Sequence, residues 1–131
     1  MIAEGKLCVL IDDDDDDQLI FSTTIKKHFK GYEFLSFSSF NDAEPTLGKR
    51  AEDIGVVFID LNMPRINGKE GLAQLRNDPL YKSKPLIIYS TSNNPDDVKE
   101  CIKSGATAFI TKPSKINILI SELSNYLVSS N

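Results

Sequence analysis

Val56-Val57-Phe58-Ile59-Asp60-Leu61-Asn62-Met63-Pro64 is the stretch that decides the fold. A short β-branched and aromatic run reads as a buried strand of a parallel sheet. Here the run ends on an acid. Three other runs repeat the pattern. Val9-Leu10-Ile11 precedes Asp12-Asp13, Leu86-Ile87-Ile88-Tyr89 precedes Ser90, and Ala108-Phe109-Ile110-Thr111 precedes Lys112-Pro113. In an open α/β sheet, ligands bind outside the carboxyl ends of the strands. One rim is therefore expected to carry three carboxylates, one hydroxyl and one ammonium. That set suits a divalent cation and a phosphoryl group.

Around these runs the chain alternates strand and helix five times. Strand one is predicted at 7–11 and helix one at 16–29. Phe21, Ile25 and Phe29 fall on one face of that helix at i, i+4, i+8. The aspartates before it suit the positive end of a helix dipole. Strand two is predicted at 33–37 and helix two at 42–51, with Pro45 in its first turn or kinking it. Strand three is 56–59. A loop at 62–68 is punctuated by Pro64 and Gly68. Helix three runs to Arg76, and strand four is 86–89. Helix four starts at Pro95 with Asn94 as its cap. It is expected to bury Val98, Cys101 and Ile102 and to end at Gly105. Strand five is 108–111. Helix five carries an apolar stripe of Ile116, Leu119, Ile120, Leu123 and Leu127. Alternating βα units imply an α/β fold with a parallel sheet, right-handed crossovers and helices on both faces. With no repeat, linker or second domain visible, one domain over residues 1–131 is expected.

Composition narrows the function classes. A hydrophobic content of 40% supplies one ordinary core. The net charge of −4 argues against nucleic acid as a direct partner. No apolar stretch approaches the length of a membrane span, and Met1–Lys6 lacks the apolar core of a signal peptide. Cys8 and Cys101 fall in a predicted strand and a predicted helix without metal-ligand spacing. They read as reduced thiols of a cytoplasmic protein. Within the run Asp12–Asp17, Asp12 and Asp13 sit at a strand end, whereas Asp14 to Asp17 read as a solvated acidic turn. His28, the sole histidine, lies late in helix one, away from the rim. It reads as a surface residue or a charge partner of the helix C-terminus, not as a phosphodonor.

Taken together, Ile11-Asp12-Asp13, Ile59-Asp60-Leu61-Asn62-Met63-Pro64 followed by Gly68, Tyr89-Ser90-Thr91 and Lys112-Pro113 resemble the receiver domain of two-component response regulators, of the single-domain chemotaxis type. The resemblance covers essentially the whole chain. Thirty residues separate Asp60 from Ser90, and twenty-two separate Ser90 from Lys112. An Asp-Asp pair alone would be weak evidence; all four pieces in order are strong.

The resemblance implies a doubly wound, flavodoxin-like receiver fold with strand order 2-1-3-4-5, in which strands one and three meet at the topological switch point. It implies that Asp60 is the phosphoacceptor, attacking the phosphohistidine of a sensor histidine kinase or phosphotransfer protein. Mg²⁺ would be held by Asp13 directly, by Asp12 largely through water, by Asp60 and by the backbone carbonyl of Asn62. Lys112 would place a point charge on the phosphoryl oxygens, and Ser90 would hydrogen-bond one of them. In this family such a Lys-Pro bond is often cis, which would aim Lys112 at the site. Ser90 and Phe109 would form a switch that reshapes the face of helix four, strand five and helix five for a downstream protein target. Thr91 stands where many relatives carry a smaller residue, and would narrow access to the phosphoryl group.

Each position also has a plainer reading. Lys112 suits an exposed lysine, Ser90 a strand-end cap, Asp60 an N-cap and Phe109 an ordinary strand aromatic. Two rival functions stay open: a pseudo-receiver that binds partners without phosphorylation, and a Mg²⁺-dependent phosphatase with an aspartyl intermediate. Such hydrolases usually offer a second acid two residues after the nucleophile, where this chain has Asn62. With nothing following helix five beyond Asn131, a stand-alone receiver signalling by protein contact, and not an enzyme, is expected.

Overall fold

The computed structural model describes residues 5–130. Met1 to Glu4, most of the segment read for a signal peptide, lie outside the described residues, as does Asn131. The elements run β1 (Leu7–Ile11), α1 (Asp15–His28), β2 (Glu33–Phe37), α2 (Phe40–Lys49), β3 (Ile54–Ile59), α3 (Gly68–Asn77), a short 3-10 turn (Pro79–Tyr81), β4 (Leu86–Ser90), α4 (Pro95–Lys103), β5 (Ala108–Thr111) and α5 (Ile116–Leu123). All four strand pairings are parallel, in the order β2-β1-β3-β4-β5. The alternation of runs led to the parallel sheet, and the resemblance implied this doubly wound order.

Strand alternation sorts the core into two layers. Leu7, Val9, Ile11, Val57, Ile59 and Ile88 face the layer that also holds Phe40, Leu47, Leu72 and Cys101, from α2, α3 and α4. Cys8, Leu10, Val56, Phe58, Ile87 and Tyr89 face the layer built with Phe21 and Ile25 of α1 and Leu119 and Leu123 of α5. Cys8 and Cys101 are buried free thiols in opposite layers, so the sheet separates them. Every residue of β1, β3 and β4 is buried. The edge strands β2 and β5 are largely half-exposed, because each has only one neighbour and less helix cover. Phe21 pins α1 to the sheet through ring contacts with Phe34, Phe58 and Tyr89 at centroid distances of 5.7, 4.9 and 5.2 Å.

Several helix details depart from expectation. Ser39, whose side chain accepts from the Asp42 N–H, caps α2 two residues earlier than the pattern suggested. Pro45 therefore lies inside the helix, in its second turn. Asn94 does cap α4, but Cys101 is its buried residue; Val98 is half-buried and Ile102 faces solvent. A nine-residue helix over an edge strand covers only a narrow stripe. Ile116 is likewise exposed at the first position of α5, whereas Leu127, beyond the helix end, is buried. Gly105 adopts φ 111° just after α4, a left-handed conformation that L side chains rarely adopt. His28 lies in the last turn of α1, where its carbonyl accepts the Ser130 N–H at 2.8 Å. No helix among the described residues is long and apolar enough to cross a membrane.

Candidate functional site

Backbone pairing places the rim residues. The Asp60 N–H donates to the Ile11 carbonyl at 2.8 Å, and the Asp12 N–H to the Phe37 carbonyl at 2.9 Å. The ends of β3 and β1 thus deliver Asp60 beside Asp12 and Asp13. One carboxylate oxygen of each lies within 4.8 Å of the others. The Lys112 N–H donates to the Ser90 carbonyl at 2.7 Å, which ties the end of β5 to the end of β4.

Gly68 holds the loop after Asp60 in place. Its N–H donates to the Leu61 carbonyl at 2.9 Å. A Cβ there would collide with the Asp60 carbonyl oxygen and lie 2.6 Å from the Leu61 Cα. Only glycine lets the start of α3 approach the Asp60 backbone this closely. Arg65 in the same loop takes φ 66°, uncommon for a residue with a Cβ.

Charge dominates the site. Asp12 is fully buried, Asp60 nearly so, and Asp13 is exposed. Lys112 reaches them from β5: Nζ lies 2.9 Å from Asp12 Oδ2 and 3.9 Å from Asp60 Oδ1. Burial, then the neighbouring Asp12 charge, push the Asp60 carboxyl up to about 7, against the pull of Lys112. Burial also raises Asp12, opposed by the Asp14 N–H and Lys112. Burial alone would lower the Lys112 ammonium, but Asp17 and Asp12 outweigh it and raise it.

Asp12 Oδ2 is buried, forms an ion pair with Lys112 at 2.9 Å and accepts no hydrogen bond. A buried carboxylate oxygen without a hydrogen bond, beside two more carboxylates, fits a hard divalent cation with oxygen ligands. The Asn62 N–H makes only a long 3.5 Å contact with Asp60 Oδ1.

Ser90 is buried at the end of β4, where its Oγ accepts the Ser92 N–H at 3.2 Å. The strand-end cap is therefore present, and the hydroxyl hydrogen remains available to donate. Thr91 beside it is exposed. Phe109 is half-buried, packed against the layer that contains Cys101. The Lys112-Pro113 peptide is trans, since no described peptide is cis. Lys112 reaches the carboxylates without the cis bond common in the family. The small cis–trans difference for X-Pro bonds leaves either isomer open to local context.

Two residues at the rim were missed in the sequence. Asp17, read as part of a solvated turn, accepts a 2.6 Å hydrogen bond from Lys112 Nζ. Gln18 donates to the Asp12 carbonyl at 2.5 Å. For Asp17 a signal existed: extending the stripe Phe21, Ile25, Phe29 back by four residues lands on it. Asp14, also read as solvated, is the N-cap of α1 and accepts the Asp17 N–H at 3.0 Å.

The family model of the response regulator receiver domain matches residues 8–124. The sensory/regulatory protein RpfC of Xanthomonas campestris is 34% identical over 93 residues, 69% of this chain and 13% of RpfC. The chemotaxis protein CheY homologue of Campylobacter jejuni is 32% identical over 76 residues, 58% of each chain. The matches therefore span less than two thirds of these relatives' lengths. The crystallised Vibrio cholerae chemotaxis protein CheY4 superposes with a TM-score of 0.82 at 25% identity, covering 94% of this chain and 99% of that one. The phosphorylated cyanobacterial phytochrome response regulator RcpA does so with a TM-score of 0.78 at 25% identity, covering 92% and 90%. Strand order, rim geometry and sequence match agree that this chain belongs to the response regulator receiver domain family of two-component signalling.

Proposed function

We propose that the chain accepts a phosphoryl group on Asp60 from a phosphohistidine in a Mg²⁺-dependent reaction, and signals by protein contact. The observation that carries this reading is the convergence of Asp12, Asp13 and Asp60 within 4.8 Å, with Lys112 beside them and Asp12 Oδ2 without a hydrogen bond. An Asp60 carboxylate oxygen attacks phosphorus. The P–N bond breaks, and its electron pair leaves with the imidazole nitrogen of the donor. Asp13, Asp60 and the Asn62 carbonyl would hold Mg²⁺, with Asp12 acting largely through water. Bound there, the ion would neutralise the carboxylates and the phosphoryl oxygens. Lys112 adds a second positive charge for those oxygens, and Ser90 offers its hydroxyl to one of them.

The donor is a sensor histidine kinase or a phosphotransfer protein. A segment of the yeast osmosensing histidine protein kinase SLN1 is 30% identical to this chain over 74 residues, which supports a histidyl donor. The setting is cytoplasmic. Output runs through α4, β5 and α5, with Ser90 and Phe109 as the switch. A hydrogen-bond chain supports this route. Ser90 Oγ accepts the Ser92 N–H, Ser92 Oγ donates to Asp97 of α4 at 2.7 Å, and Thr111 Oγ1 of β5 donates to the Ser92 carbonyl at 3.2 Å. Exposed Thr91, directly after Ser90, sets access for water, hence the lifetime of the phosphoryl group.

Incubation with acetyl phosphate and Mg²⁺, read by intact mass, tests the reading. Wild type should gain one phosphoryl group, and Asp60→Asn or chelator should abolish the gain. No labelling of wild type would favour a pseudo-receiver. Sustained turnover of a small phosphate ester would favour a phosphatase.

A further inference from the structure

We propose that Asp17 is a positioning residue that competes with the phosphoryl group for Lys112, and so sets how tightly the charged site retains that group. The inference rests on Asp60 being the acceptor. Lys112 Nζ is shared unevenly: 2.6 Å to Asp17, 2.9 Å to Asp12 and 3.9 Å to Asp60. The lysine side chain is only 9% exposed and that of Asp17 only 27%, so water screens the pair weakly. Asp17 is also a stiff partner. It occupies the third position of α1, its N–H is held by the Asp14 cap, and the helix is pinned one turn on by Phe21. Lys112 meanwhile lies over the Tyr89 ring, 5.4 Å from its centroid.

An ammonium has three N–H donors on a short, compact head. Nζ is held 2.6 Å from Asp17 in α1 but lies 3.9 Å from Asp60 Oδ1, just past the end of β3 and beyond hydrogen-bond reach, so bonding an oxygen carried at Asp60 draws it away from Asp17. Asp17 thus belongs to the unphosphorylated arrangement. It differs from Asp12, Asp13 and Asp60 in lying outside the group able to share one cation.

Beryllium trifluoride with Mg²⁺, a mimic of the aspartyl phosphate, provides the probe. Asp17→Asn should tighten its binding by about tenfold, equivalent to about 1.4 kcal/mol. Asp16→Asn removes the same charge from the exposed neighbouring position and should leave binding unchanged. In the ligand-free proteins, the Lys112 side-chain NMR resonances should shift in Asp17→Asn and not in Asp16→Asn. Equal tightening in both variants would reduce the effect to general charge and overturn the proposal, as would unchanged or weaker binding in Asp17→Asn. Absence of binding to wild type would overturn the acceptor reading first, and this inference with it.

Discussion

Lys112 Nζ sits 3.9 Å from Asp60 Oδ1, farther than from Asp12 or Asp17. Among the described residues, Lys112 is the one ammonium paired with these acids, and it is committed mainly to carboxylates other than the proposed acceptor. Asp60 and Asp13 are left under-compensated, and the cluster is poised for a second cation.

Metal should stabilise the fold, and removing one acid should do part of the same. Two like charges at 4 Å and an effective dielectric of 20 repel by roughly 4 kcal/mol before screening and protonation relieve it. A cation that binds only the folded chain adds about 1.4 kcal/mol at tenfold excess over its dissociation constant. For a domain of this size the melting temperature should rise by about 3–6 °C. Asp13→Asn should melt higher than wild type in chelator and respond less to Mg²⁺. Thermal melts of both proteins in both buffers check this; a wild type indifferent to Mg²⁺ would disprove a shared metal site.

Acidity should act on the metal-free protein in an unusual direction. Burial and Asp12 raise the folded Asp60 carboxyl to about 7 from 3.8. Between those values the folded state keeps a proton that the unfolded chain has released. Stability from this group is thus present at low pH and lost as pH rises toward 7. In chelator, the melting temperature of wild type relative to Asp60→Asn should fall steadily from about pH 4 to pH 7. A constant difference across that window would contradict the raised carboxyl.

Ser90→Ala should separate phosphorylation from output. The variant should still label at Asp60. It loses both the hydroxyl offered to the phosphoryl group and the acceptor for the Ser92 N–H. Backbone NMR shifts in α4, β5 and α5 on phosphorylation should shrink relative to wild type. Identical shift changes in the two proteins would break the proposed link between Ser90 and Phe109.

Arg76 is a structural staple far from the rim acids. Its guanidinium donates to the carbonyls of Gly105, Tyr81 and Lys84 at 2.8, 2.7 and 2.9 Å. One side chain therefore satisfies the turn after α4 and the segment leading into β4. Arg76→Ala should cost about 2–4 kcal/mol, since it removes several charge-assisted bonds and leaves partly buried carbonyls unpaired. Urea denaturation measures it. Phosphorylation of Asp60 by acetyl phosphate should persist under native conditions.

The alternation of apolar runs with polar strand ends determined the sheet, the helices on both its faces and the rim that carries Asp12, Asp13, Asp60, Ser90 and Lys112. Those features depend on period and order along the chain, and a linear pattern carries them directly. The strand order came from family resemblance, because adjacency in a sheet is not written in any one strand. Tertiary structure alone decided which carboxylate holds Lys112. Asp17 sits in a run of six aspartates that composition cannot tell apart. The stripe of Phe21, Ile25 and Phe29 extends back to Asp17, but its pairing with Lys112 is a contact between α1 and the residue after β5, fixed by the Asp14 cap and the docking of Phe21 and absent from any linear pattern. Ile102 and Ile116 show the converse: both fit an apolar stripe, yet short helices over a sheet edge leave them in solvent. The trans Lys112-Pro113 bond belongs with these, since an isomer preference this small yields to whatever contacts the folded chain provides.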